Sequence, residues 1–222
     1  MVKEVEVKSI LNKKRRDPWF LDDYSLNPYR GCQFNCAYCY IHGGGYSSKS
    51  GEVEVKVNAP SLLEAELRKL SRRRLFGYIA LSSATEPWMK LEEQWKLTRR
   101  CLSVIERYRF PVHCLTKSTL IKRDLDLLSS IDQRSFTPSD LKETVGRGAL
   151  ITLSFSTLEA GDAKVFEPGA PSPKDRMELI SKLSREGFMA GAAFIPVLPV
   201  SYTHLRAHET EADLVCRLLL EK

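Results

Sequence analysis

From residue 60 onward the chain alternates short apolar runs with amphipathic stretches, and this alternation narrows the fold more than any other feature. Strands separated by helices read as βα units, and successive units of that kind build a parallel α/β sheet or barrel. Four runs read as strands: Tyr78-Ile79-Ala80-Leu81, Val112-His113-Cys114-Leu115, Leu150-Ile151-Thr152-Leu153, and Met189 through Ile195. A fifth is expected earlier, around Tyr24 to Tyr29.

Each intervening helix carries a start signal. Ser61-Leu62-Leu63-Glu64 reads as a capping box, followed by Leu63, Leu67 and Leu70 at helical spacing. A second helix puts Leu91, Trp95, Leu102 and Ile105 on one stripe interrupted only by Thr98, with Glu92 and Glu93 in its first turn and Arg107 and Arg109 in its last. A third is expected over Leu120 to Leu128. A fourth opens at Ser172-Pro173 and closes at Gly187. The polar stretch from Asp132 to Gly148 reads as a surface excursion with a short helix inside.

At 222 residues, 43% hydrophobic and 28% charged, the chain suits one globular domain. No apolar run approaches the ~20 residues of a membrane-spanning helix. The start, Met1-Val2-Lys3-Glu4, lacks the apolar block of a signal peptide, so the expected compartment is the cytoplasm. Six cysteines in a reducing compartment are metal ligands more often than disulfides. A net charge of +6 admits an anionic partner such as nucleic acid. The densest basic stretch, Arg68-Lys69 and Arg72-Arg73-Arg74, falls at an expected helix end, where cations offset the negative pole of the helix dipole.

The segment that points to chemistry is Tyr29-Arg30-Gly31-Cys32-Gln33-Phe34-Asn35-Cys36-Ala37-Tyr38-Cys39-Tyr40, a Cys-x3-Cys-x2-Cys arrangement on a loop after a strand. Soft thiolates favour iron–sulfur clusters, zinc or Cu(I). A structural zinc site wants four protein ligands, with His42 a candidate fourth, whereas three cysteines on a [4Fe–4S] cluster leave one iron open to a small molecule. His42-Gly43-Gly44-Gly45 lacks the pattern of a phosphate loop and reads as a flexible connection. Cys101 and Cys114, within a helix and a strand, read as buried unreactive thiols.

This spacing, with an aromatic before the last cysteine, resembles the signature of the radical S-adenosylmethionine (SAM) superfamily. Lys56-Val57-Asn58-Ala59-Pro60, Leu115-Thr116-Lys117-Ser118, Ser154, Glu167-Pro168 and Pro171-Ser172-Pro173 with Arg176 extend the resemblance to the spore photoproduct lyase-like branch, over about residues 24 to 199. The resemblance implies a partial TIM-like barrel with its site at the C-terminal ends of the strands. It implies a [4Fe–4S] cluster on Cys32, Cys36 and Cys39 that cleaves SAM reductively to a 5′-deoxyadenosyl radical. Tyr38 would contact the adenine, Lys117 the SAM carboxylate, and Ser154 would hydrogen-bond SAM. Tyr40 matches a tyrosine that some relatives use in radical transfer. An electron donor such as flavodoxin or ferredoxin is implied, and nucleic acid is the substrate class suggested by characterised relatives.

Two departures qualify this expectation. Spore photoproduct lyases place a hydrogen-donating cysteine near the end of the second strand, where this chain has Ser82-Ser83-Ala84-Thr85-Glu86. After Pro196-Val197-Leu198-Pro199 the sequence resembles a translated adapter, although Leu214, Leu218 and Val215, Leu219 also fall at helical spacing. The expected organisation is an N-terminal extension over 1–23, a radical SAM core over 24–199 truncated after about five strands, and a non-native tail over 200–222. The alternative is a non-catalytic iron–sulfur or zinc protein that binds nucleic acid.

Overall fold

The computed structural model describes residues 2–16, 20–43, 52–81, 84–196 and 217–219. In chain order the first elements are β1 (Val2–Val5), β2 (Leu11–Lys13), β3 (Asp22–Leu26), β4 (Tyr29–Arg30), β5 (Val53–Lys56), α1 (Ala59–Arg72) and β6 (Tyr78–Leu81). There follow α2 (Glu92–Trp95), α3 (Leu97–Tyr108), β7 (Val112–Thr116), α4 (Leu125–Arg134), β8 (Ala149–Phe155), α5 (Ala160–Phe166), α6 (Pro173–Arg185), β9 (Met189–Phe194) and β10 (Arg217–Leu219).

The main sheet has the order β10-β9-β8-β7-β6-β3-β2. Its five central strands, β3, β6, β7, β8 and β9, run parallel to their neighbours, and these are the five read from the sequence. β6 and β8 are buried along their whole length and run largely apolar, as parallel strands covered on both faces do, whereas β3 carries Asp22 and Asp23. β2 and β10 close the two edges antiparallel. The order is linear, with no pairing between these edges among the described residues, so closure of the expected partial barrel is not seen there. A second sheet, β1-β5-β4, has no counterpart in the sequence reading. Its strands are two to four residues long, although Val53 and Val55 are buried in alternation, the mark of a half-covered strand.

Several helix boundaries differ from expectation. α1 starts before Ser61, with Asn58 at its cap and Pro60 in the first turn, where a missing N–H costs nothing. The expected capping box therefore lies inside the helix. The Asn58 side chain instead bonds both the N–H and the C=O of Val7, at 3.1 and 2.9 Å. The second helix is two, broken at Lys96 (φ 50°), because Glu92 turns inward and its carboxylate accepts from the amides of Thr98 and Arg99 at the start of α3, at 3.0 and 3.3 Å. Thr98, the polar break in the apolar stripe, is buried and donates to Pro87 O at 2.6 Å. The third helix is a 3-10 turn over Thr119–Asp124 leading into α4. Ser172 caps α6 as read, accepting from the Asp175 amide at 3.1 Å, and Gly187 follows at φ 85°. α5 carries no apolar stripe and went unread.

Arg72, Arg73 and Arg74 are exposed at the C-terminal end of α1, which leads into the N-terminal end of β6. That is the end of the sheet away from the strand C-termini. Of the tail over 200–222, only Arg217–Leu219 falls within the described residues. There the chain is extended and paired with Gly191–Ala193, not helical. Ser82, Ser83, Gly44 and Gly45 lie outside the described residues.

Candidate active site

β4 leads straight into the cysteine loop, whose shape depends on Gly31. Its φ of 81° is in the left-handed region, and an added Cβ would stand 2.8 Å from Glu52 O, so only glycine turns here without strain. Tyr29, just upstream, is buried and donates its hydroxyl to Glu92. Thr85 Oγ1 donates to Gly31 O. Further on, the Cys39 amide donates to Cys36 O and the His42 amide to Cys39 O, each at 3.1 Å, which winds the second half of the loop into successive turns.

The loop covers the C-terminal ends of β6, β7, β8 and β9 and encloses a cavity of about 400 Å³. Cys32, Cys36, Tyr38, Cys39 and Tyr40 line it from the loop side, and Lys117 and Ser154 from the strand ends, so all seven residues assigned from sequence meet there. Cys36 is buried, whereas Cys32 and Cys39 are partly exposed. Tyr40 is 68% exposed. His42, the candidate fourth zinc ligand, is exposed and is not part of the lining. Among the described residues no three His, Cys, Asp or Glu side chains gather as ligands of one metal ion. The three thiols line one cavity.

Burial, reinforced by Glu86, pushes the Cys32 thiol up to about 12, although the Phe34 amide points at its sulfur from 3.4 Å. Burial also raises Cys36, against the pull of Lys117. Both thiols are therefore protonated when no metal is bound, and a metal must displace their protons. The Lys117 ammonium donates to Ser154 Oγ at 2.9 Å and lies 5.7 Å from the centre of the Tyr38 ring.

Two acidic residues of the site were not singled out by the sequence reading. Glu86, after β6, lines the cavity and is buried, which raises its pKa. It accepts from Thr116 Oγ1 at 2.5 Å and from the Lys117 and Trp88 amides at 2.9 and 3.0 Å. Its position at the end of a parallel strand was the available signal. Glu167, after α5, lies beside Tyr38 and Lys117. It belonged to the family resemblance without a role.

The fold matches spore photoproduct lyase complexed with dinucleoside spore photoproduct at a TM-score of 0.66 and 15% identity, over 89% of this chain and 52% of the lyase. A mutant of that lyase with bound AdoMet and dinucleoside spore photoproduct matches at 0.62 and 16% identity, over 88% and 50%. This is a likeness of fold. In sequence the chain is 30% identical over 206 residues to an uncharacterised protein of Mycobacterium tuberculosis, which is 88% of this chain and 56% of that one. It is 28% identical over 193 residues to the radical SAM Nalpha-GlyT isomerase of Pseudomonas phage M6, covering 86% of this chain and 36% of the isomerase. The chain thus spans about half the length of the mycobacterial protein. No protein-family model matches it. The chain thus resembles spore photoproduct lyase in fold, and in sequence it is similar to a phage protein named as a radical SAM enzyme. Among the described residues no helix is long and apolar enough to cross a membrane.

Proposed function

We propose that this chain carries the core of a radical SAM enzyme, with Cys32, Cys36 and Cys39 as the ligands of a [4Fe–4S] cluster and SAM bound in the cavity beside them. The observation that carries this reading is the meeting of three cysteines, Tyr38, Lys117 and Ser154 around one cavity at the strand C-termini. Its volume of about 400 Å³ is in the range of small-molecule sites. A cluster held by Cys32, Cys36 and Cys39 would leave one iron open to SAM and, when reduced, would supply the electron for its reductive cleavage.

The chain's own residues bind and orient. Lys117 presents a compact positive charge to the SAM carboxylate, and its bond to Ser154 fixes the direction of that charge. Tyr38, inside the loop, offers a ring face to the adenine. Glu86 is a buried carboxylate on the same wall, suited to an ammonium group. The apolar lining from Phe34, Ile41 and Ile195 keeps water from the reacting centre. Tyr40, at the exposed rim of the cavity, is the candidate for radical transfer to a substrate. A flavodoxin- or ferredoxin-type donor supplies the electron.

Nucleic acid is the first substrate class to test, because the lyase of similar fold was solved with a dinucleoside photoproduct. Thymine-dimer repair by that lyase's route is not proposed, since the stretch Ser82 to Glu86 contains no thiol to return a hydrogen atom. Anaerobic reconstitution followed by iron and sulfide analysis tests the cluster. Cys32→Ala, Cys36→Ala and Cys39→Ala should each lose iron, while Cys101→Ala and Cys114→Ala, both wholly buried in the core, should keep it. Full iron in any of the first three, or stoichiometric zinc in place of iron, overturns the reading.

A further inference from the structure

Glu167 is the point at which four separate parts of the site meet. Its carboxylate accepts from the Tyr38 hydroxyl on the cysteine loop, from Ser156 Oγ at 2.8 Å after β8, and from Arg176 Nη2 at 2.5 Å on α6. Its Oε1 stands 3.8 Å from the Lys117 ammonium after β7. The Glu167 and Arg176 side chains are both fully buried. Arg176 also donates to Ser154 O at 2.6 Å and lies over the Phe155 ring at 4.9 Å, so the post that holds Glu167 is itself fixed to β8. Burial alone would raise the Glu167 pKa, but Arg176 and Lys117 outweigh it and keep the carboxyl below its ordinary value, hence charged.

The neighbours of Glu167 grip the same loop through the backbone. The Ala37 amide donates to Phe166 O at 2.9 Å, and the Gly169 amide donates to Phe34 O at 3.0 Å. Residues 166–169 therefore meet the loop at residues 34, 37 and 38. A buried ion pair is a poor stabiliser, because well-packed apolar residues of the same volume do as well or better. What an apolar pair cannot do is hold a hydroxyl on one element and an ammonium on another.

We propose that Glu167 is a positioning residue of the cavity: anchored by Arg176, it holds the Tyr38 ring and the Lys117 ammonium in fixed relation across the gap between the cysteine loop and the strand ends. The inference rests on reading the cavity as the SAM site. Lys117 has three N–H donors; Ser154 takes one and Glu167 attracts a second, which leaves the third directed to a ligand.

The test uses Tyr38→Phe, Glu167→Ala, Lys117→Ala and the pair Glu167→Leu with Arg176→Met, with two readouts. The first needs neither iron nor SAM: hydrogen exchange at the Ala37 amide should quicken about tenfold in Tyr38→Phe, with the β8 amides unchanged, because the loop loses its side-chain anchor and keeps only its backbone bonds to residues 166 and 169. The second is SAM affinity of the reconstituted protein. Glu167→Ala should weaken it about tenfold, and adding Glu167→Ala to Lys117→Ala should cost clearly less than a further tenfold, because part of the effect of Glu167 passes through Lys117. The Leu/Met pair removes both fully buried charges together, so it should recover much of the thermal stability lost in Glu167→Ala while SAM affinity stays low. Should Glu167→Ala fail to fold, this pair carries the same comparison. Recovery of SAM affinity along with stability would reduce Glu167 to a structural role and overturn the proposal. So would additive losses with Lys117→Ala, or unchanged Ala37 exchange in Tyr38→Phe. A wild-type protein that binds no SAM sinks the reading of the cavity instead, and the exchange experiment then decides the positioning role alone.

Discussion

Replacing Gly169 by alanine tests how closely the turn after α5 is applied to the cysteine loop. An added Cβ would stand 2.7 Å from Gln33 O, 2.7 Å from Phe34 Cα and 2.9 Å from Phe34 O. All three atoms are backbone, so no side-chain rotation relieves the contact. Gly169 is not in the left-handed region, so alanine is not strained by its own backbone. Either the turn withdraws and loses the 3.0 Å bond from the Gly169 amide to Phe34 O, or the loop shifts between Cys32 and Cys36. Overpacking of this kind costs ~1–3 kcal/mol, and the reduced freedom of the unfolded chain returns ~0.4–1 kcal/mol, for a net loss of roughly 1–2 kcal/mol. At ~2–4 °C per kcal/mol for a chain of this size, Tm should fall by about 2–8 °C. Thermal unfolding of the metal-free protein by circular dichroism measures this, and iron content after reconstitution should fall with it. A rise in Tm with full iron would refute the argument, because it would mean that loop and turn are not in the close contact described.

Other outcomes follow from the same geometry. Lys117→Ala should weaken SAM binding roughly ten- to a hundredfold, the worth of one hydrogen bond to a charged group, with normal iron content; lost iron with normal SAM affinity would make Lys117 a support of the fold. Cys32 and Cys36 hold their protons above the ordinary thiol range, so iron uptake should rise steadily from about pH 6 to about pH 9 as protons become easier to displace. A flat profile over that range would contradict the assigned ligands. Deleting residues 200–222 should leave iron content unchanged, since no ligand motif lies there, but should promote aggregation by uncovering the edge of β9 that β10 pairs with.

Four of the five parallel strands were legible because they are almost wholly buried and so run largely apolar, as in Tyr78–Leu81 and Ala149–Phe155, whereas β3, with Asp22 and Asp23, was placed only by its position ahead of the cysteines. The cavity was legible because its residues come from short motifs at strand ends, where the fold itself brings them together. The break between α2 and α3 was not, because the helical period of Leu91, Trp95, Leu102 and Ile105 carries no sign that Glu92 turns inward to Tyr29 and Arg123, far away in sequence. Pro60 did hold the signal that α1 begins before Ser61, and the competing capping pattern obscured it. Glu167 could be noticed as part of a family pattern, but its link to Tyr38 spans 129 residues and exists only after folding.

The most direct test of the central claim is formation of 5′-deoxyadenosine by the anaerobically reconstituted protein given SAM and dithionite. The account predicts 5′-deoxyadenosine and methionine from the wild-type chain and none from Cys36→Ala. A wild-type chain that carries a full iron–sulfur cluster, binds SAM and yields no 5′-deoxyadenosine would contradict it.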